Sequence, residues 1–81
     1  MAGYHSTTIP KGKLGEISKV TEEYQELIDA CVQLNPVMAL QEMSDLIGAI
    51  EALAANYNIT LDELIKMHRV TQQVFKTGHR I

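Results

Sequence analysis

The sequence predicts an all-α fold: a short helical chain that builds a four-helix-bundle core through homodimerisation. Three observations carry that expectation. Apolar residues recur at helical spacing through most of the chain, with Asn35-Pro36 and the stretch from Asn58 to Thr60 as breaks. The middle segment is apolar over an arc too wide for one neighbour to cover. Finally, 81 residues with one cysteine, Cys31, allow no internal disulfide to support a small core. A second copy or a bound metal is the available staple.

Taken in order, residues 1–13 form an arm and residues 14–81 a single helical domain. Tyr4, His5, Ser6, Thr7, Thr8 and Pro10 follow no sustained period. The arm is therefore either a frayed terminus or a strap over a neighbouring subunit or ligand pocket. His5, and His79 at the other end, have no identifiable chemical partner in the sequence.

The first helix is expected from about Leu14 to Leu34. Stepping about 100° per residue places Ile17, Val20, Tyr24, Leu27, Ile28, Cys31 and Leu34 in one apolar stripe. Glu16 and Glu23 fall at the edge of that stripe, with Lys19 and Glu26 just outside it. Glu22 and Asp29 fall on the far side, which reads as solvated. Cys31, on the stripe, is expected to be a buried small hydrophobe.

Asn35 as N-cap with Pro36 at the first helical position restarts the chain as a second helix, Pro36 to about Tyr57. Its apolar arc holds Leu40, Met43, Leu46, Ile47, Ile50, Leu53, Ala54 and Tyr57. Its remaining side holds Glu42, Asp45, Ala49, Ala52 and Asn56, where small alanines leave room beside two acids. Asn58 tolerates the left-handed conformation that ends a helix. Thr60-Leu61-Asp62-Glu63 fits a capping box, so a third helix runs from Thr60 to about Lys76. Leu61, Leu64, Met67, Thr71, Val74 and Phe75 make its inward side. Lys66, Arg69, Gln73, Lys76 and Arg80 make a basic stripe opposite, and His68 and Gln72 flank the apolar face.

Composition narrows the function. Net charge is −3, which argues against a general nucleic-acid binder that must neutralise phosphates. The absence of Trp and a single Phe argue against a base-stacking platform. No window reaches the roughly 18 consecutive apolar residues of a membrane span. The start shows no positive charge followed by an apolar run, so the expected location is cytoplasmic. Asn58-Ile59-Thr60 matches a glycosylation pattern that has no role in that setting.

The chemistry lies in two acidic pairs, Glu23/Glu26 and Glu42/Asp45, each spaced i, i+3 and therefore each on one helix face. Antiparallel packing about Asn35-Pro36 would bring the pairs face to face, where four carboxylates repel unless cations lie between them. Carboxylate oxygens in this number suit Mg²⁺, with Mn²⁺ as the alternative. Such ions neutralise a polyphosphate and activate water, so hydrolysis within a di- or triphosphate is the reaction this site would support. Glu23 or Glu26 is the candidate to orient or deprotonate the water.

Glu23-x-x-Glu26 followed after 15 residues by Glu42-x-x-Asp45 resembles the signature of the MazG-like all-α nucleoside triphosphate pyrophosphohydrolases. The segments Lys19 to Leu27 and Gln41 to Ile47, and Ile59-Thr60-Leu61 at the next helix start, are similar too. The resemblance covers about residues 14–76. It implies a Mg²⁺-dependent enzyme that cuts a (deoxy)nucleoside triphosphate to monophosphate and pyrophosphate, in house-cleaning or deoxynucleotide-pool control. It implies Glu23, Glu26, Glu42 and Asp45 as metal ligands, and a homodimer or dimer-based tetramer. Lys19, Asn56, His68, Gln72 and Arg80 are the candidate substrate contacts. One departure stands out: His68-x-x-x-Gln72 replaces the Lys-x-x-x-Asn common in the family's last helix, so no fixed positive charge sits there. Lys66, Arg69 or Arg80, from the same or a partner subunit, would have to compensate. Two alternatives stand beside this reading. One is phosphoribosyl-ATP pyrophosphohydrolase, with related fold and chemistry; the other is a non-catalytic helical dimer acting as a regulator.

Overall fold

A computed structural model describes residues 5–77, with three helices: α1 (Ile17–Val32), α2 (Pro36–Ala55) and α3 (Leu61–Thr77). His79 and Arg80 lie outside the described residues, as do the side chains of Val74 and Phe75. The all-helical expectation is met, and no strand occurs among the described residues. None of their helices is long and apolar enough to cross a membrane.

The helix boundaries follow local chemistry. Asn35 caps α2, its Oδ1 accepting the Met38 N–H at 3.0 Å, with Pro36 in the first turn where no donor is lost. Leu34 and Asn58 both take positive φ, 55° and 59°, and turn the chain after α1 and α2. Asn58 was readable as such a residue; Leu34, with a bulky side chain, was not. The capping box at α3 is reciprocal. Glu63 N–H donates to Thr60 Oγ1 at 3.1 Å, and Thr60 N–H donates to Glu63 Oε1 at 2.9 Å.

α1 begins three residues later than expected because Gly15 sits at φ 94° and Glu16 is extended. Upstream, the Gly12 backbone approaches α1 so closely that a Cβ there would meet the Ser18 carbonyl and the Lys19 amide.

α1 and α2 pack as an antiparallel hairpin, with Asn56 Nδ2 at the end of α2 donating to the Gly15 carbonyl before α1 at 2.6 Å. α3 adds only marginal contact to this pair. The apolar core is thin: Ala30, Met38 and Ala39 with Leu27 against them, and Ala49 and Ala54 further along. Much of the apolar surface is exposed instead. The stripe expected on α1 leaves Ile17, Tyr24, Ile28 and Leu34 exposed in the single chain, Leu34 at 87%. Cys31, expected to be buried, is exposed as well. Leu40, Met43, Ile47 and Ile50 on α2 are likewise open. The chain is correspondingly extended, with a radius of gyration of 14.8 Å. A compact domain of this length would have about 12 Å.

Candidate metal centre

The buried surface shared by the hairpin and the arm is acidic. Glu22, Glu23, Glu26 and Asp29 on α1 and Glu42 on α2 are all buried, Glu42 completely. Glu22 and Asp29 were expected on the solvated side. They retain only 2% and 5% exposure because the arm, residues 5–13, folds back over that face of α1. Every fourth or third position from Glu22 through Glu26, Asp29 and Gln33 belongs to one helical ridge. Helical phase placed Glu22 and Asp29 away from the apolar stripe, but their solvation does not hold, because phase cannot say what the arm will cover.

The arm covers the ridge with hydrogen-bond donors. Gly12 N–H donates to Glu22 Oε1 at 2.7 Å, and Lys11 Nζ lies 3.6 Å from Glu22 Oε2. Ser6 donates to Asp29 twice, from its backbone N–H to Oδ2 at 3.0 Å and from its hydroxyl to Oδ1. Gln33 Nε2 donates to Asp29 Oδ2 at 2.7 Å from the next turn of α1. His5, for which the sequence offered no partner, has three: Nδ1 lies 2.9 Å from Asp29 Oδ2, and Nε2 lies 3.1 Å from Glu42 Oε2 and 3.6 Å from Glu26 Oε2. Between arm and helix runs a cleft of about 460 Å³, lined by His5 to Ile9, Lys11 and Glu26.

The carboxylates separate electrostatically into two kinds. Donors from Ser6 hold Asp29 well below the usual carboxylate range against the opposing effect of burial. Burial pushes Glu22 up, but the Gly12 N–H and the Lys19 ammonium outweigh it and leave it lowered. Glu23, Glu26 and Glu42 go the other way. Burial raises each of them, reinforced by the charge of Glu26 at Glu23, the charge of Glu42 at Glu26, and Asp45 beside Glu42.

The two acidic pairs do converge. One donor atom each from Glu23, Glu42 and Asp45 lie within 4.8 Å of one another, as do those of Glu22, Glu23 and Glu26, and those of His5, Glu26 and Glu42. Lys19 Nζ partly balances this charge, 3.2 Å from Glu22 Oε1 and 3.4 Å from Glu23 Oε1. Glu23 Oε2, however, is buried with no hydrogen-bond partner. A buried carboxylate oxygen without a donor is costly, and a hard cation is the group that satisfies several such oxygens together. The donor set therefore fits Mg²⁺ or Mn²⁺.

Of the other candidate residues, Lys19 borders the cluster, and Asn56 is engaged at the hairpin end through Gly15. His68 and Gln72 are exposed on α3, which adds only marginal contact to the hairpin.

The fold and site define a helical hairpin with converging buried carboxylates, a donor set that fits a hard cation. Residues 4–69 match the phosphoribosyl-ATP pyrophosphohydrolase family, and the chain belongs to it. That family lies within the MazG-like all-α superfamily, so the resemblance read from the acidic pairs holds at the superfamily level. The match begins at Tyr4 and so includes the arm that covers the acids. No curated protein and no solved structure is significantly similar to the chain.

Proposed function

We propose that this chain is a divalent-cation-dependent pyrophosphohydrolase that cleaves phosphoribosyl-ATP between its α and β phosphates and releases pyrophosphate. The observation that carries this reading is the buried carboxylate pit lying within the residues that match the family. Glu23, Glu26, Glu42 and Asp45 are the residues that would hold Mg²⁺ or Mn²⁺. Such a cation neutralises phosphate charge and lowers the pKa of water.

The chain's own groups supply the rest. Glu23 Oε2 has no donor from the protein, and burial raises the proton affinity of its carboxylate. Whichever of Glu23 and Glu26 is not fully committed to the cation would orient or deprotonate the attacking water. Lys19 sits beside these acids with its ammonium available to a phosphate oxygen. Asn56, His68, Gln72 and Arg80 are the further proposed substrate contacts. His68 and Gln72 would reach the pit if α3 packed against a second copy in a homodimer or dimer-based tetramer.

Hydrolysis of ordinary nucleoside or deoxynucleoside triphosphates is the second reading, favoured by the Glu23-x-x-Glu26 and Glu42-x-x-Asp45 spacing. A non-catalytic dimer is the third, favoured by His68 and Gln72. Pyrophosphate release with Mg²⁺ distinguishes the three. The expected outcome is turnover of phosphoribosyl-ATP that is lost in the Glu42→Gln/Asp45→Asn double variant. Turnover confined to the triphosphate panel would select the second reading. No pyrophosphate from any substrate, at concentrations that support assembly, would select the third.

A further inference from the structure

The proposed function leaves one buried arrangement without a role: His5 and Asp29. His5 comes from the arm, not from either helix of the hairpin, yet its side chain is only 4% exposed. Its two ring nitrogens face different partners. Nδ1 meets Asp29 Oδ2 at 2.9 Å, while Nε2 points at Glu42 Oε2, 3.1 Å away, and Glu26 Oε2, 3.6 Å away.

Asp29 is built to orient this ring. Its carboxylate accepts from the Ser6 N–H, the Ser6 hydroxyl and Gln33 Nε2, so its position is fixed from both the arm and α1. An acceptor held in this way keeps a proton on Nδ1 and, in the neutral ring, turns the Nε2 lone pair toward Glu26 and Glu42. Three acceptors then face one point, and a cation there would turn mutual repulsion into coordination. A carboxylate on one imidazole nitrogen with a metal on the other is the usual way a histidine ligand is oriented.

The neighbouring group of Glu23, Glu42 and Asp45 offers oxygen alone, whereas His5, Glu26 and Glu42 offer one nitrogen with two carboxylates. Glu42 belongs to both groups. An independent sign that the pit accommodates a ligand is Glu23 Oε2, which lacks a hydrogen-bond partner on a side chain with 6% exposure. Oxygen sets suit Mg²⁺, while imidazole favours borderline first-row ions such as Co²⁺ and Zn²⁺.

We infer that His5, oriented by Asp29, forms with Glu26 and Glu42 a nitrogen-containing cation site that biases this centre toward borderline first-row metals. The arm thereby becomes part of the metal centre rather than a cover over it. This rests on the carboxylate cation site proposed above, and deepens it by assigning His5 as a ligand and Asp29 as its positioning residue.

The test uses the full chain and the metals alone. Calorimetric titration with MgCl₂ and with CoCl₂ would compare the wild type with His5→Gln and Asp29→Asn, each checked for helicity by circular dichroism. His5→Gln is expected to weaken Co²⁺ binding at least about tenfold while changing Mg²⁺ binding by less than about threefold. Asp29→Asn is expected to weaken Co²⁺ in the same direction but by less. Independently, adding ZnCl₂ to ¹⁵N-histidine-labelled wild type should shift the His5 Nε2 resonance and leave His68 unmoved. That measurement stands even if a variant fails to fold. Unchanged Co²⁺ affinity in His5→Gln with an unmoved His5 resonance overturns the inference and leaves the carboxylate site intact. A wild type that binds none of these cations overturns the carboxylate site as well.

Discussion

Asp29 and Glu22 respond to acid in the opposite sense from Glu23, Glu26 and Glu42. The first two are held below their ordinary values of 3.8 and 4.5, so the stability they contribute is present above those values and is lost as pH falls through the folded ones. The other three lie above 4.5, so folding disfavours their ionised form. Their contribution is full below 4.5 and is lost as pH rises through the raised values. Metal-free protein should therefore be most stable in the weakly acid range and should lose stability on both sides. Adding Mg²⁺ should restore the loss on the alkaline side, because a cation repays the burial of ionised carboxylates. Urea midpoints across pH, with and without Mg²⁺, check this. A midpoint that rises steadily from weak acid to neutrality without metal would contradict the assignment.

At the scale of elements, the helix limits were legible because capping is local chemistry. Asn35-Pro36 and Thr60-x-x-Glu63 act over three or four residues, and their hydrogen bonds form as the spacing implies. Asn35→Ala should remove the Met38 acceptor and lower stability by about 1 kcal/mol, read as a urea midpoint shift with unchanged slope. What was not legible was the use of α1's two faces. Its apolar stripe reads as the inward side by hydrophobic pattern, yet in the single chain that side is largely exposed while the acidic ridge is covered. The arm decides this, through donors from Ser6, Lys11 and Gly12 that have no periodic signature. The close approach of Gly12 to α1 was also hidden, since a glycine in an irregular segment has many possible reasons.

For the molecule as a whole, an alanine-rich core beneath many exposed large apolar side chains is the central energetic fact. Fully burying one Leu or Ile is worth about 1.5–3 kcal/mol, so the open faces of α1 and α2 hold more potential stabilisation than the existing core. Burial of such side chains against a second copy would recover that stabilisation. We expect the chain to sediment as a dimer or tetramer at micromolar concentration. Ile47→Glu and Met43→Glu should each shift it toward monomer and lower its melting temperature together. A wild type that is monomeric and stably folded in sedimentation velocity would contradict this.

By itself, the sequence determined three helices, their caps, and two acidic pairs matched in spacing, because each depends on residues within a turn or two of one another. Only the tertiary structure decided that Glu22 and Asp29 join the buried acids and that His5 reaches Glu26 and Glu42 across more than twenty residues of chain. The reason is physical: helical phase assigns a residue to a face, but which face is buried depends on what the rest of the chain lays against it.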